Sequence, residues 1–173
     1  MKRNIIIEPD PILRKKSDLL EKVDDNIRNL MQDMLKTMYD APGIGLAAIQ
    51  VGVPKRVIVI DLSKDDEKKN PLYFVNPEII TKSKKDASYE EGCLSVPNQF
   101  AEISRPDICE VKFLDYEGNE KILKAEGLLA TCIQHEIDHL EGITILTYVS
   151  KLKRSMIVKK LSKTKANEDR VVL

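Results

Sequence analysis

Two histidines, His135 and His139, lie four residues apart with Glu136 between them, and the chain contains no others. Positions i and i+4 of a helix share one face, so both imidazoles can bind the same metal ion. In this His-Glu-x-x-His pattern the glutamate lies beside the metal, where a general base for a metal-bound water is needed. The spacing therefore predicts a metal-dependent hydrolase with Glu136 as its base.

A catalytic site of this kind needs a third protein ligand and one open position. No histidine remains, and Ile145 stands where the metzincin pattern has its third histidine, which excludes that class. A thermolysin-like site takes a glutamate from farther along the chain. Glu141 adjoins the motif and Glu168 lies in a polar tail, so both are poor candidates.

Cysteine is the remaining ligand type, and the chain has three. Cys132 would share the histidine face but lie about 10.5 Å from His139 along the helix axis, too far for a common metal, so we expect it to line a neighbouring pocket. Cys109 alternates with Val111 in a strand pattern and fits a core thiol. Cys93, between a glycine and a proline in irregular backbone, is the best third ligand. One thiolate and two imidazoles accommodate iron(II), nickel, cobalt or zinc.

Hydrophobic periodicity predicts the elements that hold these residues. Helical spacing indicates a helix over 24–40 and a second, carrying the histidines, over 127–142. Strands are predicted over 56–62, 72–80, 108–116 and 120–125, the last two as a hairpin. The strands do not alternate with helices, which predicts an α+β fold: antiparallel β-sheets packed around a central metal-binding helix, with N-terminal and C-terminal helices. Without repeats or linkers, residues 1–173 are predicted to form a single catalytic domain.

Composition limits the surroundings in which such a site can work. The 28 basic and 28 acidic side chains cancel, which argues against a DNA-binding surface spread over the molecule. The first residues contain no long apolar run, so neither a secretion signal nor a membrane span is expected. Three cysteines cannot all pair, and we expect a reducing, cytoplasmic location.

Three motifs in order make the chain resemble the bacterial peptide deformylases, a family of iron-dependent metallohydrolases. They are the segments 43–50 (GIGLAAIQ), 91–95 (EGCLS) and 135–139 (HEIDH). The similarity runs from the sequence DPILR at 10–14 to about residue 150. Each motif alone is a weak or moderate signal, whereas three in register are strong.

The resemblance implies a reaction and a role for each motif residue. Glu136 would take a proton from the metal-bound water, which is the nucleophile, and pass it to the leaving amine. The Gln50 side chain and the Leu94 amide would stabilise the oxyanion. The reaction would remove the formyl group from the N-terminal formylmethionine of newly synthesised polypeptides and release formate. The metal, physiologically iron(II) and replaceable by nickel, cobalt or zinc, would be held by Cys93, His135 and His139.

The resemblance also implies a substrate site built from the same motifs. Its residues would be Ile44, Gly45, Glu91, Gly92, Leu128 and Cys132. Glycines 43 and 45 would let the substrate main chain approach and pair like an added strand, and Leu128 and Cys132 would help to form the methionine pocket. Phe100 stands where many bacterial members have arginine, so we expect different contacts at that rim. Ile145 and Thr147 also depart from the family pattern, which predicts altered packing without loss of chemistry.

A basic segment follows these motifs. Residues 151–165 contain seven basic side chains and no acidic one, interleaved with Leu152, Met156, Ile157 and Leu161. A solvated terminal helix is one interpretation, and residues 151–173 are predicted to form a basic helix and tail. The resemblance adds a second interpretation, in which the helix docks on the ribosome near the exit tunnel. The expected partners are nascent formyl-Met polypeptides and the ribosome, without DNA or membrane.

Two alternatives stay open at the level of sequence. A metallopeptidase that cuts ordinary peptide bonds is disfavoured by the missing downstream histidine or glutamate ligand. A non-catalytic ribosome- or peptide-binding module would need a closed metal site with a fourth protein ligand, and the sequence offers none in an obvious place.

Overall fold

The computed structural model describes the backbone of residues 1–171 and the side chains of residues 1–165. Residues 172–173, the end of the predicted basic tail, lie outside the described residues. In chain order the elements are α1 (Asp25–Asp40), β1 (Gly45–Ala47), β2 (Val57–Ile60), β3 (Leu72–Lys82), β4 (Asp86–Cys93), β5 (Val96–Pro106), β6 (Ile108–Leu114), β7 (Glu120–Glu126), α2 (Gly127–Leu140) and α3 (Lys151–Val171). Short 3-10 helices span Pro11–Arg14, Ala48–Val51 and Ile145–Tyr148.

Five strands form an antiparallel sheet in the order β1-β2-β3-β6-β7, and β4 pairs with β5 in a separate hairpin. Strand β2 shows how the sheet is covered, because its side chains alternate between two clusters. Val57 and Val59 pack with the methionines of α1, whereas Ile58 and Ile60 pack with Ile133 and other residues of α2. Helix α2 contacts both sheets. The predicted α+β fold around a central metal-binding helix is confirmed.

The predicted helices are present within a residue or two of their expected bounds. Helix α1 begins after Asp24, whose carboxylate accepts a hydrogen bond from the Ile27 amide (3.0 Å), as expected of an N-cap. Helix α2 ends at Leu140 rather than at 142. Helix α3 packs on the β4–β5 hairpin through Ile157 and Leu161.

The sequence patterns missed three strands. None of β1, β4 and β5 is among the predicted elements. Strand β4 has no alternation of apolar residues that could indicate it, because its one buried residue is the charged Glu91. The irregular backbone predicted around Cys93 is found at the end of a strand: Cys93 is the last residue of β4, the register of the hairpin shifts between Gly92 and Cys93, and Leu94 and Ser95 make the turn into β5.

The structure bears on membrane association only through its helices. In the part of the chain that it describes, none has the length and apolar character required to cross a bilayer.

Candidate metal centre and active site

Helix α2 and the end of β4 bring together the predicted ligands Cys93, His135 and His139. Their ligand atoms all lie within 4.8 Å of one another. The Sγ atom of Cys93 is 3.4 Å from Nε2 of His139, and the two imidazole rings are 5.1 Å apart between centroids. A thiolate and two imidazoles are a donor set for a divalent transition metal, so the residues present fit such an ion.

His135 is oriented by a carboxylate on the side away from the other ligands. Its Nδ1 is 2.8 Å from Oε1 of Glu91, which leaves Nε2 for a metal. Arg105 in turn donates to both oxygens of Glu91, from Nε (2.8 Å) and from Nη2 (3.0 Å). Burial alone would raise the pKa of Glu91, but hydrogen bonds from His135 and Arg105 outweigh it and lower that pKa. Glu91 therefore stays ionised and fixes the His135 ring.

The environment of His139 favours its neutral form. The imidazole is fully buried, and burial together with the positive charges of His135 and Arg105 holds its pKa well below the ordinary value. Neutral imidazole is the form that binds metals. The Nδ1 atom of His139 has no hydrogen-bond partner among the described residues.

Glu136 projects into the site beside the ligand cluster. Its Oε1 is 4.0 Å from Nε2 of His135, and its buried Oε2 has no hydrogen-bond partner among the described residues. Burial raises the pKa of Glu136 to about 7. A carboxylate with a free oxygen and a pKa near neutrality can both accept and return a proton.

Gly45 makes room for that carboxylate. A Cβ atom at position 45 would lie 2.5 Å from Oε1 of Glu136 and 3.1 Å from its Cδ. Strand β1 can therefore lie directly against the glutamate only because this residue has no side chain.

Gln50 and the β4–β5 turn supply donors on the other side of the cluster. The Oε1 atom of Gln50 accepts from the Ala47 amide (2.9 Å), which fixes the orientation of the side-chain amide. Its Nε2 then lies 3.1 Å from Oγ of Ser95 and 3.6 Å from Sγ of Cys93. The turn places Leu94 between Cys93 and Ser95. The two expected oxyanion donors, the Gln50 side chain and the Leu94 amide, therefore both lie next to the ligand Cys93.

A cavity of about 550 Å³ adjoins these groups. All of the residues predicted to contact substrate line it: Ile44, Gly45, Glu91, Gly92, Leu128 and Cys132. Gln50, Leu94 and Glu136 line it too, and Phe100, 56% exposed, lies in the same lining. The carboxylate of Glu91 is hydrogen-bonded to Arg105 and His135. Glu91 therefore acts on the site by orienting the metal ligand His135 and does not present a free charge to a substrate.

The residues set aside as ligands lie where the sequence placed them. Cys109 is fully buried in the core cluster that includes Val111. Burial raises the pKa of Cys132 to about 12, so it lines the cavity as a thiol. Glu141 forms ion pairs with Arg56 (2.6 Å) and Lys16 (3.1 Å). The side chain of Glu168 lies outside the described residues.

Sequence reasoning missed Arg105 and its partners. Besides Glu91, Arg105 bonds to Asp138 (2.9 Å), whose carboxylate also accepts from the Tyr148 hydroxyl (2.6 Å). The signal that was available is Glu91 itself, because a metal-ligating histidine often donates its second ring nitrogen to a carboxylate, and a buried carboxylate needs a charged partner. No sequence pattern indicates which arginine that is.

Comparison with known proteins gives concordant matches over most of the chain. The sequence model of a family described as Polypeptide deformylase matches residues 2–155. The peptide deformylase of Pelagibacter ubique is 63% identical over 165 residues, which cover 95% of this chain and 96% of that protein. The peptide deformylase of Rhizobium meliloti is 55% identical over 159 residues, covering 92% and 91%.

Solved structures agree with these sequence matches. The crystal structure of peptide deformylase from Ehrlichia chaffeensis superposes with a TM-score of 0.92 at 43% identity, covering 97% of this chain and 99% of that chain. A structure of peptide deformylase from Ehrlichia chaffeensis in complex with actinonin gives a TM-score of 0.90 at 45% identity, covering 94% and 97%.

Proposed function

This chain belongs to the polypeptide deformylase family of enzymes, and on that premise we propose that it removes the formyl group from the N-terminal formylmethionine of newly synthesised polypeptides and releases formate. The observation that carries the proposal is the placement of the Cys93, His135 and His139 donor cluster beside the free carboxylate oxygen of Glu136. Cys93, His135 and Glu136 line one cavity, and His139 is buried behind them. The reaction would be a metal-dependent hydrolysis.

Cys93, His135 and His139 would hold the metal ion. We infer iron(II) as the physiological metal, as the resemblance to the family implies. Nickel, cobalt or zinc would be functional replacements, because one thiolate and two imidazoles accept all four. When bound, the ion supplies Lewis acidity to the attacking water and to the formyl oxygen. Among the described residues no fourth donor joins the cluster, which disfavours a closed structural site.

Glu136 would move the proton. Its free Oε2 accepts a proton from the water that attacks the formyl carbon. As the bond between that carbon and the methionine nitrogen breaks, the same oxygen returns the proton to the nitrogen, so formate and a free amine leave. The pKa of about 7 suits both transfers near neutral pH.

Gln50 and Leu94 would stabilise the negative charge that develops on the formyl oxygen. The Nε2 of Gln50 and the backbone N–H of Leu94 both donate, and such preorganised donors are worth about 10²–10³-fold in rate each. The methionine side chain would enter the part of the cavity near Leu128 and Cys132. The peptide main chain would lie along Ile44, Gly45 and Gly92.

A rate assay with metal analysis tests the function. Metal-loaded protein is expected to release formate from a formyl-Met peptide and to leave the unformylated peptide intact. Glu136→Gln should retain its metal and lose at least about 10³-fold in kcat. Cleavage of the unformylated peptide would support a metallopeptidase instead, and full activity of Glu136→Gln would overturn the role of this residue.

We also propose that helix α3 binds the ribosome near the exit tunnel. Ile157 and Leu161 hold the helix on the hairpin, while Leu152 and Met156 stay exposed. Basic side chains on exposed positions, including Lys159, Lys160 and Lys163, would meet ribosomal RNA, and binding should weaken with salt.

Charge reversal tests this better than truncation, because a cut after Ser150 would also uncover the apolar residues beneath α3. The triple variant Lys159→Glu, Lys160→Glu and Lys163→Glu should keep its deformylation rate on short peptides and lose co-sedimentation with ribosomes. Co-sedimentation equal to that of the unchanged protein would contradict the proposal.

We place the enzyme in the cytoplasm as a single catalytic domain spanning 1–173. All three cysteines are free thiols, which supports a reducing compartment.

A further inference from the structure

An N-terminal strap, which we define as residues 6–17, contacts both segments that carry the proposed oxyanion donors. The Ile6 N–H donates to the carbonyl of Gln50 (2.8 Å), and the Glu8 N–H donates to the carbonyl of Ser95 (2.9 Å). Ile6 and Glu8 lie two residues apart, the repeat at which amides of an extended chain point to the same side. The strap therefore links the Gln50 segment to the turn that contains Leu94.

The strap is anchored by the carboxylate of Glu8, which is 2% exposed. Arg14 donates to both of its oxygens, from Nη1 (2.6 Å) and Nη2 (2.9 Å). Thr144, four residues beyond the end of α2, donates its hydroxyl to Oε1 (2.8 Å). A buried carboxylate is stable only with such partners.

The far end of the strap reaches the helix that carries the histidines. The Ser17 N–H donates to the carbonyl of Leu140, the last residue of α2, at 2.8 Å. Through Glu8 and Ser17 the strap is thus connected to α2, and through its backbone to both oxyanion segments. The proposed mechanism leaves Glu8 without any role.

We propose that Glu8 is a positioning residue for deformylation, holding Gln50 and Leu94 in register with the metal ligands. Gln50 and Cys93 are 43 residues apart in sequence. Their segments are joined by a hydrogen bond from Gln50 to Ser95 (3.1 Å) and by a longer contact from Gln50 to the sulfur of Cys93 (3.6 Å). Oxyanion donors act only when they lie at hydrogen-bond distance from the developing charge, so a small shift costs rate. This inference rests on the proposed function.

Glu8→Gln tests the proposal, because it removes the charge at nearly constant volume. We expect kcat to fall about tenfold, with KM and metal content little changed, since a displacement well below 1 Å costs less than the ~10²-fold of a 1 Å shift. Thr144→Val, which removes one hydrogen bond to Glu8, should lower kcat about threefold and keeps the test valid if Glu8→Gln does not fold.

Asp61→Asn is the matched control. Asp61 is 3% exposed, and its carboxylate accepts from Tyr39, Ser63 and Asn70. Among the described residues, none of these three hydrogen-bonds to the oxyanion segments. Its replacement removes an equally buried charge and should leave kcat within about twofold of the parent value. An equal loss of kcat in Asp61→Asn and Glu8→Gln would overturn the proposal.

A double-mutant cycle separates positioning from general destabilisation. If Glu8 acts through Gln50 as well as Leu94, Glu8→Gln should cost clearly less than about tenfold in a Gln50→Ala background, because only the Leu94 donor is left to displace. An undiminished loss in that background would refute the proposed route.

Amide hydrogen exchange supplies a readout independent of catalysis. Glu8→Gln should accelerate exchange in segments 47–51 and 93–96, whereas Asp61→Asn should not. Unchanged exchange in both segments would overturn the strap proposal whatever the activity. Absence of deformylation by the parent protein would overturn the proposed function and leave this structural result standing.

Discussion

Gly45→Ala tests how closely the proposed base is held against strand β1. The φ angle of Gly45 is not among the positive values of the structure, so alanine is compatible with the backbone and the perturbation is steric. The new Cβ would lie 2.5 Å from Oε1 of Glu136, 3.1 Å from Cδ and 3.2 Å from Cγ. All three atoms are too close, so rotating the carboxylate does not relieve the contact.

The size of the expected effect follows from these distances. Moving Oε1 from 2.5 Å to the 3.4 Å at which ordinary contact begins requires a retreat of about 0.9 Å. A misplacement of about 1 Å in a catalytic group costs ~10²-fold in rate. We therefore expect kcat to fall about 10²-fold, while overpacking lowers the free energy of unfolding by about 1–3 kcal/mol.

The assay is formate release from a formyl-Met peptide by the metal-loaded variant, with its metal content measured on the same sample. A steric block of the peptide would instead raise KM at unchanged kcat. In a Glu136→Ala background the alanine at position 45 has no carboxylate to displace, so its extra cost should nearly vanish. A kcat for Gly45→Ala within twofold of the parent, or an undiminished loss in the Glu136→Ala background, would refute the reasoning.

Three further outcomes follow from the site. In the metal-free protein, burial raises the pKa of Glu136 from 4.5 to about 7. Its protonated carboxyl therefore contributes fully to the free energy of unfolding below pH 4.5, and this contribution is lost as the pH rises through 7. Glu136→Gln should remove on the order of 3 kcal/mol of this pH dependence in urea unfolding, and curves of unfolding free energy against pH that run parallel for variant and parent would contradict it. Phe100→Arg should raise kcat/KM for formyl-Met peptides with an acidic residue after methionine about two- to fivefold relative to peptides with leucine there, and more at low salt, because none of the lysines and arginines whose side chains are described lines the cavity. Removal of the metal by a chelator should lower the melting temperature in calorimetry, because an ion present at a free concentration of about 100 times its Kd adds about 2.7 kcal/mol to the free energy of unfolding. An unchanged melting temperature after proven metal loss would exclude a metal held by Cys93 and the histidines.

The elements with apolar periodicity could be predicted from the sequence, and the rest could not. Helix α1 buries one face, so the spacing of its apolar residues indicates it directly. Helix α2 is buried on all sides between Ala130 and Glu136, and its many apolar residues over one helical length indicate it. In β4 the one buried residue is Glu91, and in β5 the buried Ala101 and Ile103 are followed by the buried Arg105, so neither strand shows an alternation of large apolar residues.

The metal-ligand residues could be predicted from the sequence, whereas the contacts that hold them and Glu136 in place could not. The histidine spacing and the elimination of other ligands identify the donor residues, because ligand types are few and the helix geometry is known. The contacts of Glu91 with His135 and of Gly45 with Glu136 depend on how distant segments pack. Those contacts follow from tertiary structure, which spacing along one element does not contain.

The donor cluster adds another link between the hairpin and α2, beside the contacts of Glu91 with His135 and of Arg105 with Asp138. Cys93 ends the hairpin strand β4, whereas His139 lies on α2, 46 residues later. An ion held by both acts as a reversible cross-link between hairpin and helix. Local opening of the hairpin would remove one of the three ligands, so we expect variants that loosen the hairpin to release the metal faster.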